Sequence, residues 1–153
     1  MFRSVLVAID GSTHAERALI EAVDLAERSN ATLTVMTSVP DTSSWLISMS
    51  YGEGIDFKAL AKETEREYTK LLDSAVDALP QNLSVTKILA HGRPGGRILE
   101  QLQTGKHDLV VMGSRGRGEV SSLLLGSVSH QVLNASPAAV LIVHSPDDAT
   151  ADD

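Results

Sequence analysis

The sequence predicts an α/β protein built on a single doubly wound, five-stranded parallel sheet with helices on both faces. Three observations predict it. Five short runs have strand composition, and the first and fourth are apolar nearly throughout, the pattern of strands buried on both faces. Between them lie segments whose apolar residues recur every three or four positions, the helical period. The chain's 153 residues, 42% hydrophobic and 22% charged, suffice for one core and would be cramped as two domains.

The first run, Ser4 to Ile9 (SVLVAI), has the composition of a central strand. After Asp10 and Gly11, Thr13 and Glu16 form a capping-box pattern, and Ala15, Ala18, Leu19, Ala22, Val23 and Ala26 repeat at helical spacing. Asn30 suits a left-handed stop. Ala31 to Val39 (ATLTVMTSV) is the second strand and closes a right-handed βαβ unit. The stretch from Pro40 to Ile55 is rich in Ser and Gly, carries Trp45, Met49 and Tyr51, and exceeds an ordinary connection. It reads as a lid or partner surface, or as a disordered insertion. Phe57 to Leu79 is a long amphipathic helix stopped by Pro80, and Leu83 to Ala90 is the third strand. Gly95 to Thr104 forms a short helix ending at Gly105, and Leu109 to Met112 the fourth strand. A helix containing Val128, Val132 and Leu133 precedes the fifth strand, Ala138 to Val143 (AAVLIV). From Ser145 onward periodicity is lost, which places one domain at 1–145 and a disordered acidic tail at 146–153.

Composition excludes several functions. There is no cysteine, hence no disulfide, thiol nucleophile or thiolate metal site, which fits a reducing compartment. A net charge of -7 argues against broad nucleic-acid binding, and 3% aromatics against base-stacking platforms. The apolar run before Asp10 is too short for a signal peptide, and nothing approaches the roughly 20 apolar residues of a membrane span. The expectation is a cytoplasmic protein. The charge is uneven: Lys87 to Arg117 holds six basic residues against Glu100 and Asp108, while four acids crowd the tail. That suits one small anionic ligand better than a nucleic acid.

In an open α/β sheet ligands bind at the carboxyl ends of the strands, where the winding reverses. The most unusual loop there follows the fourth strand, Met112-Gly113-Ser114-Arg115-Gly116-Arg117-Gly118, and runs on to Gly126-Ser127-Val128-Ser129. Glycines let backbone N–H groups converge on an anion, Ser127 is placed to cap the next helix, and Arg115 and Arg117 add positive charge. A P-loop is absent, since Gly105-Lys106 is followed by His107 and has no upstream glycine. The dinucleotide fingerprint is also absent, because Asp10-Gly11-Ser12 stands where it belongs. A receiver domain would need an acidic pair after the first strand; here Asp10 is alone. The five histidines form no zinc motif, and no Ser-His-Asp set has positional support.

Gly113, Gly116 and Gly126-Ser127 together spell G-x2-G-x9-G-S, which closely resembles the ATP-binding signature of the universal stress protein family. The resemblance extends over VLVAIDGS, HGRPGGRIL, DLVVMGSRGRG and LLLGSVSHQVLNASPAAVLIV, from Met1 to about Ser145. It implies a Rossmann-like, adenine nucleotide alpha hydrolase-like fold with strand order 3-2-1-4-5. It also implies that Asp10 lies near the nucleotide and acts through water or a divalent ion. The implied adenine wall is Val39 and Pro40 beside Ser38. Met112, Gly113, Arg115, Gly116, Gly126, Ser127, Val128 and Ser129 would hold ribose and phosphates, with Ala90, His91 and Gly92 as one wall and Arg93 close to the phosphates. For Asp10 a turn role, for Val39 core packing, and for His91 and Arg93 a solvated loop are the alternatives. The cofactor implied is ATP, with Mg2+ as its companion and no separate protein metal site. In function the resemblance implies a nucleotide-dependent regulatory module of the stress response; the alternatives are a slow ATPase or autokinase in the same pocket, or a chaperone-like dimer indifferent to nucleotide. The family's final strand commonly pairs with its twin, implying a homodimer through Ala138 to Val143.

Overall fold

The structure is a computed structural model that describes residues 1–41, 56–117 and 125–146. Its elements in chain order are β1 (Ser4–Ala8), α1 (Thr13–Ser29), β2 (Thr32–Val39), α2 (Phe57–Asp77), β3 (Val85–His91), α3 (Pro94–Thr104), β4 (Leu109–Gly113), α4 (Ser127–Ala135) and β5 (Ala139–Val143). All strands are parallel, in the order β3-β2-β1-β4-β5. The expected fold class and strand order hold.

Two apolar cores explain why the strands read as unbroken runs. Along β1, Val5 and Val7 face the core shared with α1 and α2, whereas Leu6 faces the core shared with α3 and α4. With both faces covered, a polar residue there needs an internal partner, as Thr37 in β2 has in the Ile9 carbonyl. The α1 seam consists of Ala15, Ala18, Ala22 and Ala26, each at most 4% exposed. Small residues at every contact let α1 lie close to the sheet, and a larger side chain there would cost about 1–3 kcal/mol of overpacking. Asn30 ends α1 at φ 53°, the left-handed stop expected of it.

Two local expectations need correction. The cap of α1 is Ser12, whose Oγ accepts from the Ala15 N–H at 3.2 Å, and Thr13 is the first helical residue. Gly126 occupies the cap position of α4, with no side-chain cap bond, and Ser127 is its first helical residue. Ser145 is buried, so the body continues through it. The expected tail beyond it, 147–153, and most of the Pro40 to Ile55 stretch with Trp45 and Tyr51 lie outside the described residues.

Candidate functional site

Chain order moves outward from β1 through β2 to β3, then returns to place β4 on the other side of β1. The crossovers on either side of β1 and β4 diverge, leaving a crevice beyond their carboxyl ends, the general binding position of such sheets. A cleft of about 520 Å³, counted out to its open mouth, lies there.

The loop after β1 is organised by Asp10. Its Oδ1 accepts from the Ser12 N–H at 2.9 Å, a tight turn in which Gly11 sits at φ 83°, a conformation costly for any other residue. Its Oδ2 accepts from the Arg117 N–H at 3.0 Å. One carboxylate therefore ties the start of α1 to the glycine-rich loop 107 positions later in the chain. Asp10 fills the turn role and a latch role together.

The end of β4 is held as tightly. A Cβ on Gly113 would lie 2.7 Å from His14 Cβ and 2.8 Å from the His14 carbonyl carbon, so only glycine lets β4 pass beneath the first turn of α1. The buried Ser129 hydroxyl donates to the Gly113 carbonyl at 2.7 Å, fixing α4 over the strand. Gly126 donates its N–H to the Ser114 carbonyl and accepts from His130 N–H at 3.0 Å, which starts α4. The first turn of α4 has N–H groups that the helix itself does not use, and Val128 and Ser129 of that turn line the cleft.

The cleft lining mixes the apolar side chains of Ala8, Met36, Ile98, Met112 and Val128 with Asp10, Thr37, Ser38, Arg115, Gly116 and Ser129. Thr37 and Ser38 are held by their own hydroxyls, which donate to the carbonyls of Ile9 and Gly92, each at 2.8 Å. A mostly apolar cleft with a few polar groups along its wall is the usual form of a small-molecule site. Among the described residues no cluster of three or more His, Asp or Glu is placed to hold a metal, and no helix is long and apolar enough to cross a membrane.

Of the residues singled out in the sequence, Asp10, Met112, Gly113, Arg115, Gly116, Val128 and Ser129 converge on this cleft. Gly126 and Ser127 stand beside it at the head of α4. At the end of β2 the lining residues are Met36, Thr37 and Ser38; Val39 is buried with its carbonyl accepting from Gly92 N–H at 2.9 Å, and Pro40 is exposed. His91 Nε2 meets Glu65 of α2 at 3.1 Å, and Arg93 is an exposed residue capping α3. Arg117 brings its main chain to Asp10, while its guanidinium turns to Tyr68 and to Glu67, the latter at 3.4 Å, and these two hold it above its ordinary range. Pro94 and Ile98 also line the cleft and were missed. They sit inside the HGRPGGRIL stretch, and their place at the cleft follows from the packing of α3 on the sheet, which a local sequence pattern does not show.

The strand order 3-2-1-4-5 and the helices on both faces of the parallel sheet define a doubly wound α/β protein. The model of the universal stress protein family matches residues 1–144. A universal stress protein of Thermus aquaticus is 37% identical over 144 residues, covering 94% of this chain and 99% of the relative. The chain belongs to the universal stress protein family. Among solved structures, a universal stress protein in complex with cAMP is 27% identical with a TM-score of 0.69, covering 94% of this chain and 97% of the other. An Arabidopsis thaliana family protein with AMP bound shares the fold at a TM-score of 0.66 and 17% identity, covering 99% and 97%.

Proposed function

We propose that this protein is a regulatory module of the stress response that binds an adenine nucleotide, ATP with its accompanying Mg2+, in the switch-point cleft. The observation that carries the reading is the joint lining of one switch-point cleft by apolar side chains, the glycine-rich loop and the first turn of α4. Met36, Ile98, Met112 and Val128 offer surface to a flat base. Arg115, Gly116 and the first turn of α4 offer charge and N–H groups to phosphates. The cAMP and AMP complexes of relatives support the ligand class. The bound nucleotide supplies a phosphate chain whose charge the loop can read; the chain's own residues bind and orient it. Both Asp10 oxygens already accept main-chain N–H groups, so Asp10 serves as a latch, and no observation favours it as a general base. Isothermal titration of ATP into protein stripped of co-purified nucleotide tests the reading, and absence of binding at millimolar ATP overturns it.

The proposal includes a cytoplasmic homodimer through β5. This edge strand leaves Leu141 36% exposed, and Leu133 of the neighbouring α4 is 47% exposed. Pairing would cover an apolar edge that otherwise invites aggregation. Light scattering should give twice the 16.3 kDa chain mass, and a monomer would refute it.

A further inference from the structure

Helix α2 is anchored unevenly. The residues that pack on the core, Leu71, Leu72, Ala75 and Val76, all lie in its second half. From Phe57 to Lys70 no residue is buried. Among the described residues, polar bridges to this part of the helix come from His91 to Glu65 at 3.1 Å and from Arg117 to Glu67 at 3.4 Å, the second joined by Tyr68. Both come from the carboxyl ends of strands, and Arg117 follows Gly116, which lines the cleft.

Arg117 thus belongs to two structures at once. Its N–H is pinned to Asp10 in the glycine-rich loop, and its guanidinium rests on α2. Glu67 and Arg117 are each 60% exposed, and ion pairs so open to water bias an equilibrium by about fivefold at most. A polyphosphate carries more charge and more acceptor oxygens than one carboxylate and makes stronger bonds to a guanidinium.

We propose that Arg117 is a charge-operated coupling between the cleft and α2: a phosphate chain bound at the glycine-rich loop draws the guanidinium away from Glu67 and releases the first half of α2. The inference rests on the nucleotide-binding reading above and adds its regulation. The signal is the presence of phosphate, because a ligand without phosphate leaves the Arg117–Glu67 bridge in place. The freed surface, Phe57 to Lys70, is what a regulatory partner would sense. Coupling is reciprocal, so weakening the bridge must tighten the phosphate-bearing ligand by the same factor that the ligand weakens the bridge.

The test is hydrogen exchange over residues 57–70, read beside titration with ATP and with adenosine, in the wild type and in Glu67→Gln. The substituted side chain is exposed and outside the cleft, so folding is not at stake. Without ligand, Glu67→Gln should exchange faster over 57–70 than the wild type. ATP should speed exchange there in the wild type and leave the variant unchanged. The variant should bind ATP about two- to fivefold more tightly and adenosine with unchanged affinity. Equal exchange in the two ligand-free proteins overturns the bridge. ATP binding that leaves wild-type exchange over 57–70 unaltered overturns the coupling while the nucleotide reading stands. Failure of both ATP and adenosine to bind overturns the nucleotide reading, and the coupling falls with it.

Discussion

Replacing Gly113 by alanine tests the close passage of β4 beneath α1 on which the cleft's geometry depends. The new methyl would lie 2.7 Å from His14 Cβ, 2.8 Å from its carbonyl carbon and 3.0 Å from its carbonyl oxygen, where ordinary contact begins at 3.4 Å. Two of these atoms are main chain and cannot rotate away. They belong to a turn fixed by the Ser12 cap, while β4 is fully buried. Strand and helix must therefore separate by several tenths of an ångström, which opens the alanine seam behind them. Overpacking costs about 1–3 kcal/mol, and a main-chain obstruction places this case near 3. For a domain of this size that corresponds to a loss of about 6–12 °C in Tm. Gly96 provides the control, since a Cβ there meets nothing within 4 Å and the residue lies inside α3. Gly96→Ala should stabilise by about 0.5–1 kcal/mol. Urea and thermal unfolding followed by circular dichroism measure both. A Gly113→Ala protein within about 1 kcal/mol of wild type, or a Gly96→Ala protein as unstable as it, would refute the reasoning.

Further outcomes follow from the same contacts. Ser129→Ala removes the buried bond to the Gly113 carbonyl and strands that acceptor, so urea unfolding should show a loss of about 1–3 kcal/mol. Asp10→Asn keeps one acceptor but turns an amide donor toward a second N–H. It should cost about 1–2 kcal/mol and broaden the amide resonances of Ser12 and Arg117, and sharp, unshifted signals would argue against the latch. His107 is buried between Ser4 Oγ at 2.9 Å and Gln101 Nε2 at 3.1 Å, and burial holds its imidazole below the ordinary 6.5 despite the Asp108 charge. The unfolded chain therefore takes up this proton more readily than the folded one. Stability from the neutral ring is complete above about pH 6.5 and declines as pH falls below it. Urea midpoints at pH 7.5 and 5.5 should differ in the wild type, and the difference should shrink in His107→Asn.

Much of the fold was legible because it rests on local patterns. Strands sealed on both faces are apolar at nearly every position, so SVLVAI and LVVM announce themselves. Alanine recurring every third or fourth residue marks the helix that lies closest to the sheet. What escaped the sequence was set by contacts across long separations. Both Ser12 and Thr13 are able to cap a helix, and the choice fell to Asp10 and the left-handed Gly11, which fix the turn. Gly126 takes the cap of α4 because its N–H is held by Ser114, a tether no spacing reveals. Charge alone suggested that both arginines of the loop face a phosphate, yet Arg117 turns to Glu67, a residue 50 positions away. The resemblance to nucleotide-binding relatives named Val39, whereas here Thr37 and Ser38 line the cleft and Val39 is packed away. The G-x2-G-x9-G-S spacing was the most informative signal, because its first glycine lets β4 pass under α1, its second lines the cleft and its third starts α4.

The central claim is that an adenine nucleotide occupies the cleft at the carboxyl ends of β1 and β4. A two-dimensional amide NMR titration of nucleotide-free protein with ATP tests it most directly. The claim predicts saturable shifts concentrated at Asp10, Thr37, Gly113, Arg115, Gly116, Val128 and Ser129. Shifts absent at millimolar ATP, or clustered on another face of the sheet, would contradict it.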